Sequence, residues 1–150
     1  MPKHFTDEEI AGIALVEPEE IGENGGFIGH TKAGDKVEVL PDDDDPTLKP
    51  QVLTLRRNDE EISNTSEELY EKIWYKQRKE WLDEVASEGI PLEPDKLKSY
   101  QSIVAKCKSF EEKYGLENLQ FDAFTWGFLC GQAAALCWVE GSNWEEVSIR

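Results

Sequence analysis

The chain is poor in the residues from which most active sites are assembled. Histidine occurs only at His4 and His30, and neither has a second ligand at helical spacing, so no structural zinc site is expected. The three cysteines, Cys107, Cys130 and Cys137, form no CxxC. Cys130 and Cys137 would lie about 10 Å apart along a helix axis, too far to share one ion. An odd count in apolar helical settings points to reduced thiols in a cytoplasmic protein. GxSxG, P-loop and GxGxxG signatures are missing. Gly25 and Gly26 with Gly29 form too short and too acidic a stretch to cradle a phosphate. There is no internal repeat. The N-terminal MPKHFTDEE turns acidic before any apolar run, so no secretory signal is expected.

Positive charge is also scarce. Sixteen Lys and Arg face 32 Asp and Glu, a net charge of −16. Residues 1–64 hold 16 acids and 6 bases, a net of −10, which leaves −6 for residues 65–150. Long-range repulsion then disfavours direct nucleic-acid binding and anionic membranes, and leaves two readings of the charge: maintenance of solubility, or attraction to a basic protein partner. Bases cluster at Lys76, Arg78 and Lys79 and at Lys106 and Lys108, where a solvated helix face accounts for them better than a nucleic-acid groove.

What is present is a pattern of short elements followed by long helices. Thr6 with Glu9 makes a capping box ahead of Ile10, Ile13 and Ala14, predicting a helix of about two to three turns that ends by Pro18. Residues 27–31 and 37–40 read as a hairpin about the turn 32–36, and 52–55 as a third strand. Between them, four adjacent carboxylates flanked by Pro41 and Pro46 predict a mobile loop over 41–51. Residues 58–64 read as a polar connector. Thr65 to Glu68 forms a second capping box for a helix ending near Ser87. Its stripe carries Tyr70, Trp74, Trp81 and Val85. A stiff connector, 90–94, leads to a helix capped by Asp95 and closed by Gly115, with a seam through Tyr100, Ile103, Cys107, Phe110 and Tyr114.

The longest apolar run is Phe121–Val139, with only Asp122, Thr125 and Gln132 polar. Acidic flanks and the lack of a positive-inside signal argue against a membrane span. The run predicts a buried central helix capped by Asp122, with Gln132 bonded inside the core. Gly127, Gly131 and Ala135 form a strip that predicts a tightly packed neighbouring helix.

The fold class expected is α+β and mainly helical. A three-helix bundle surrounds the central C-terminal helix, with a short N-terminal helix and a small antiparallel hairpin or sheet. One domain is expected over 1–150, comprising an acidic region, 1–64, and a helical core, 65–150.

The tail FTWGFLCGQAAALCWVEGSNWEE resembles a C-terminal pattern of small uncharacterised prokaryotic proteins. The pattern falls on Trp126, Gly127, Gly131, Ala135, Leu136, Trp138, Val139, Gly141 and Trp144. The resemblance implies a helical C-terminal unit and carries no activity.

Three functional readings compete. The first is a non-catalytic binding or regulatory protein, without cofactor or metal, that docks on a larger basic partner or joins a homo-oligomer. Its contacts would come from Asp42, Asp43, Asp44 and Asp45, from Glu17, Glu19 and Glu20, and from Trp74 and Trp81. The Asp42–Asp45 run lacks the alternating spacing and central glycine of a calcium loop, so it is read as a charged surface. The second reading is a nucleic-acid mimic of the anti-restriction or anti-CRISPR kind, with carboxylates standing in for phosphates. The third is an enzyme using Asp122, His30 and Cys130 drawn from separate elements. No other constellation of catalytic residues is evident, so a non-enzymatic role is favoured.

Overall fold

The computed structural model describes residues 3–45, 47–89 and 91–146 of the 150-residue chain. Over these residues the fold is α+β and mainly helical, with four α-helices and a four-stranded antiparallel sheet. The chain divides into two compact units, Met1–Ser63 and Asn64–Arg150.

In the first unit, Thr6 caps helix α1 (Asp7–Ala11). Its hydroxyl accepts the Glu9 amide at 3.2 Å, and the Glu9 carboxylate accepts the Thr6 amide at 3.0 Å. The capping box forms, but the helix is shorter than its apolar pattern predicts. Gly12 closes it by donating to Glu8, and Ala14–Leu15 becomes strand β1 instead. That strand pairs with the outer edge of β2 (Phe27–His30). The sheet is a meander in the order β1, β2, β3 (Lys36–Leu40), β4 (Gln51–Arg56), each neighbour antiparallel. The hairpin and third strand lie where the turn signals put them. Ile28 and Glu38 are directly paired and both buried, so they share one face, while Val37 is buried on the other.

Helix α2 runs over Asp59–Glu88, seven residues earlier than the Thr65 box implies. Asn58 is the reason. Its side-chain oxygen accepts the Glu61 amide at 2.9 Å as a cap, and Thr65 is absorbed into the helix. Asp59, Glu60 and Glu61 then fill the first turn, where the helix dipole favours them. The segment 58–64 is therefore helical from Asp59 onward and is not a connector.

In the second unit, α3 spans Pro94–Tyr114, with Pro94 in the first turn and Glu93 at the N-cap position, two residues before the expected cap at Asp95. Ile90, part of the expected connector, lies outside the described residues. Gly115 closes α3 at φ 84°, a left-handed conformation that other residues adopt at a cost. A short 3-10 turn (Leu116–Leu119) leads to α4 (Ala123–Val139). Tyr75 and Leu82 of α2 pack with Cys107 and Phe110 of α3 in one cluster, and Ile73 of α2 packs with Leu129 and Ala133 of α4 in another.

The helix common to both clusters is thus α2. The expectation that α4 would be the buried centre is corrected: only Leu129 and Ala133 of its residues are fully buried. A β-carbon placed on Gly127 or Gly131 would have no atom within 4 Å, so among the described residues of the second unit no helix packs on these two glycines. Gln132 is exposed and not a core amide. An apolar run says that a helix is apolar all round; it does not say how many of its sides the chain itself covers.

Candidate functional site

The sheet topology gathers the acidic residues. In a four-stranded meander, the β1–β2 and β3–β4 connections emerge at the same end, and the β2–β3 turn emerges at the other. Phe27 pairs with Val39 and His30 with Lys36, so the Phe27 end carries both long connections. The first of these holds Glu17, Glu19, Glu20 and Glu23, and the second holds Asp42, Asp43, Asp44 and Asp45. Neighbouring strands are about 5 Å apart, so eight carboxylates from two segments share one end of a narrow sheet. His30, Lys32, Lys36 and Arg56 lie towards the opposite end. Lys49, the base carried by the second connection, is ion-paired with Asp7. At the opposite end Arg56 pairs with Asp59, Arg57 with Glu61 and Lys3 with Asp35.

Both connections have a defined shape. Glu38 is fully buried, and its carboxylate accepts the amides of Gly26 at 3.0 Å and Asn24 at 3.1 Å, plus the Asn24 side-chain amide at 3.3 Å. One buried side chain thereby fixes the turn 22–26. Gly26 is required there, because a β-carbon would stand 2.5 Å from the Val39 carbonyl oxygen. Upstream, Val16 donates to Ile28 and Ile28 donates to the Glu20 carbonyl, so the segment with Glu17, Glu19 and Glu20 runs beside β2 with its side chains exposed.

In the second connection, Asp42 accepts the amides of Asp44 at 3.0 Å and Asp45 at 3.2 Å. Asp45 accepts the amide and hydroxyl of Thr47, which hold its carboxyl below the usual range. Asp43 and Asp44 point their charges into solvent. Pro46, expected as the far flank of this loop, lies outside the described residues.

At the opposite end, Asp35 is also fully buried. It accepts the Asn58 amide and the Lys3 ammonium, each at 2.7 Å, and the Asn58 side-chain amide at 3.2 Å. Burial by itself raises its pKa, but the bonds from Lys3 and Asn58 outweigh that and hold the carboxyl below its ordinary value. Every lone pair used here serves the fold, so Asp35 is a structural carboxylate. Nothing in local sequence signals it: a carboxylate in a turn next to a lysine is ordinarily solvated.

In the second unit, Trp74 and Trp81 are half-buried. Trp74 meets Phe110 edge-on at 5.7 Å, and the Lys106 ammonium stands 4.4 Å from its ring centre. Arg78 approaches the same ring at 5.9 Å. Much of the aromatic stripe is therefore committed to the α2–α3 seam. Trp81 leans on Tyr100 and also lines an open groove of about 460 Å³ with Arg78, Leu92, Lys96 and Ile103.

The residues of the enzyme reading have other roles. Asp122 caps α4, accepting the Thr125 amide at 2.8 Å, and that bond holds its carboxyl below the ordinary range. Burial pushes the thiols of Cys107 and Cys130 upward, away from the thiolate a nucleophile needs. His30 is exposed at the end of β2. Among the described residues, no group of three or more His, Cys, Asp or Glu side chains is placed to hold a metal ion. No helix there is long and apolar enough to cross a membrane.

Residues missed by sequence reasoning are Phe124 and Phe128, both strongly exposed on α4. The only signal was the lack of any polar face on that helix, which reads equally as burial inside the chain. No family model, curated protein or solved structure matches this chain.

Proposed function

We propose that the protein is a non-catalytic binding protein whose first unit docks on a basic protein surface through the acidic end of its sheet. The observation that carries this reading is the gathering of Glu17, Glu19, Glu20, Glu23 and Asp42–Asp45 at one end of a meander, in two connections whose one base, Lys49, is paired with Asp7. A patch of one sign focuses the field, accelerates association with an oppositely charged partner and weakens with salt. The buried Glu38 and the bonds within Asp42–Thr47 hold the two connections in shape before any partner arrives, which lowers the ordering cost of binding.

The nucleic-acid-mimic reading needs carboxylates spread along a surface comparable with a helical turn of duplex, about 34 Å. The sheet end spans three inter-strand spacings, or about 15 Å, which favours a compact basic patch on a protein. Catalysis is not favoured, because the candidate acids and thiols are tied to capping, turns and core packing.

The test is affinity purification from the native host with the full chain as bait, beside a variant carrying Glu17→Lys, Glu19→Lys, Glu20→Lys, Asp43→Lys and Asp44→Lys. These five side chains are exposed, and Asp42 and Asp45 are kept because they shape the loop. The expected result is a basic protein retained by the parent, released by moderate salt and lost from the variant. Recovery of the same proteins by both baits would refute the reading.

A further inference from the structure

Helix α4 carries a second surface, unrelated to the acidic one. At 100° per residue, Phe124, Gly127, Phe128, Gly131, Ala135, Trp138 and Val139 fall within about 60° of one line along the helix. The opposite side holds Leu129 and Ala133, which pack on Ile73 of α2. The outward side is apolar and open: Phe124 is 80% exposed, Phe128 61% and Trp138 54%. Trp144, 56% exposed, stacks on Trp138 at 5.6 Å and extends the surface past the helix end.

We propose that this face is the seam of a homodimer in which two copies of α4 pack antiparallel about a two-fold axis at Gly131. Three observations select a second copy as the occupant. The first is area. Taking about 200 Å² for a whole aromatic side chain, these four rings leave roughly 500 Å² in water. That is as large as the biggest patch on an ordinary monomer. Two such patches, with the helix surface between them, reach about 1,200 Å², the lower bound of stable interfaces.

The second observation is self-complementarity. An axis at Gly131, the midpoint of Ala123–Val139, sets Gly131 against its symmetry mate, Gly127 against Ala135, and Phe124 against Trp138. The small residues meet in the middle, where the backbones must approach, and the rings meet at both ends. An isologous pair requires this kind of match, and antiparallel dipoles favour it.

The third is charge. Ala123–Val139 contains no Asp, Glu, Lys or Arg, so a basic partner has nothing to recognise there, and two chains of net charge −16 meet along an uncharged line.

The experiment is sedimentation equilibrium on the full chain, with variants. The parent should have twice the 17.1 kDa chain mass at micromolar concentration. A β-carbon at Gly131 has no atom within 4 Å and the position is exposed, so Gly131→Leu should keep the parent circular dichroism while weakening association at least about 100-fold. Phe124→Glu with Phe128→Glu gives the same readout through side chains already in water. In a Cys130→Ala, Cys137→Ala background, Gly131→Cys should cross-link to its mate on oxidation. Phe124→Cys should not, because its mate lies about 21 Å away along the axis in the antiparallel pair. A monomeric parent would overturn the proposal. Equal cross-linking of both cysteine variants would overturn the antiparallel arrangement. An undiminished dimer in both Gly131→Leu and the double Glu variant would place the interface elsewhere. The dimer does not depend on the acidic loops, so the five-fold Lys variant should retain it.

Discussion

Replacing Asp35 by Ala tests whether a buried carboxylate organises the first unit. The substitution leaves Lys3, the Asn58 amide and the Asn58 side chain without their shared acceptor. Lys3 keeps Glu61 as a partner, so the cost is that of a lost charge-assisted bond and two unsatisfied Asn58 donors, about 3 kcal/mol. A unit of this size, Met1–Ser63, has about 3–9 kcal/mol in total at the usual stability per residue. The variant should therefore lose a third or more of that stability and stand near unfolding.

Fluorescence cannot report this loss, because all five Trp and all four Tyr follow residue 63. Amide hydrogen exchange in β3 can. The Val37 and Val39 amides should exchange at least about 100-fold faster in Asp35→Ala, as a loss of about 3 kcal/mol implies, while the Trp unfolding curve of the second unit stays in place. A carboxyl depressed in the folded state adds stability above its unfolded pKa, near 4, and loses it as the pH falls through the folded value. β3 protection in the parent should thus decline below about pH 4. Asp35→Asn should lack that acid limb while keeping an acceptor for Asn58. Exchange within about three-fold of the parent in Asp35→Ala would refute the reasoning.

Two further outcomes follow from single contacts. Gly26→Ala drives a methyl into the Val39 carbonyl and should destabilise the first unit by about 1–3 kcal/mol, again seen in β3 exchange. Tyr70 bonds the Cys137 sulfur and is further desolvated by the helices, which together raise its pKa to about 12; burial does the same for Tyr75. Burial also raises Tyr114, so an ultraviolet titration should find Tyr70, Tyr75 and Tyr114 ionising late in the parent, and Cys137→Ala should return Tyr70 alone towards about 10.

What the sequence made legible was local. The Thr6 box, the Asp122 cap, the Gly115 stop and the hairpin each depend on residues within a few positions, and each forms. Misplaced features depend on distant partners. The start of α2 moved because Asn58 is held by Asp35, 23 positions away. The roles of Asp35 and Glu38 were hidden because a buried carboxylate is identified by its donors, and these come from Lys3, Asn58, Asn24 and Gly26. The convergence of the two acidic connections needed the strand order, which residue types alone do not give. Helix α4 was placed correctly as an element and wrongly as a centre, since hydropathy gives a preference for burial without naming the surface that supplies it.

The burial of Glu38 separates two properties that usually vary together in a binding loop. The backbone course of residues 22–26 is set from inside by one strand side chain, while the charges of the segment project outward and take no part in holding it. Glu23, the one charge within that turn, is exposed, so replacing it changes the charge the turn presents without removing a contact that sets its path.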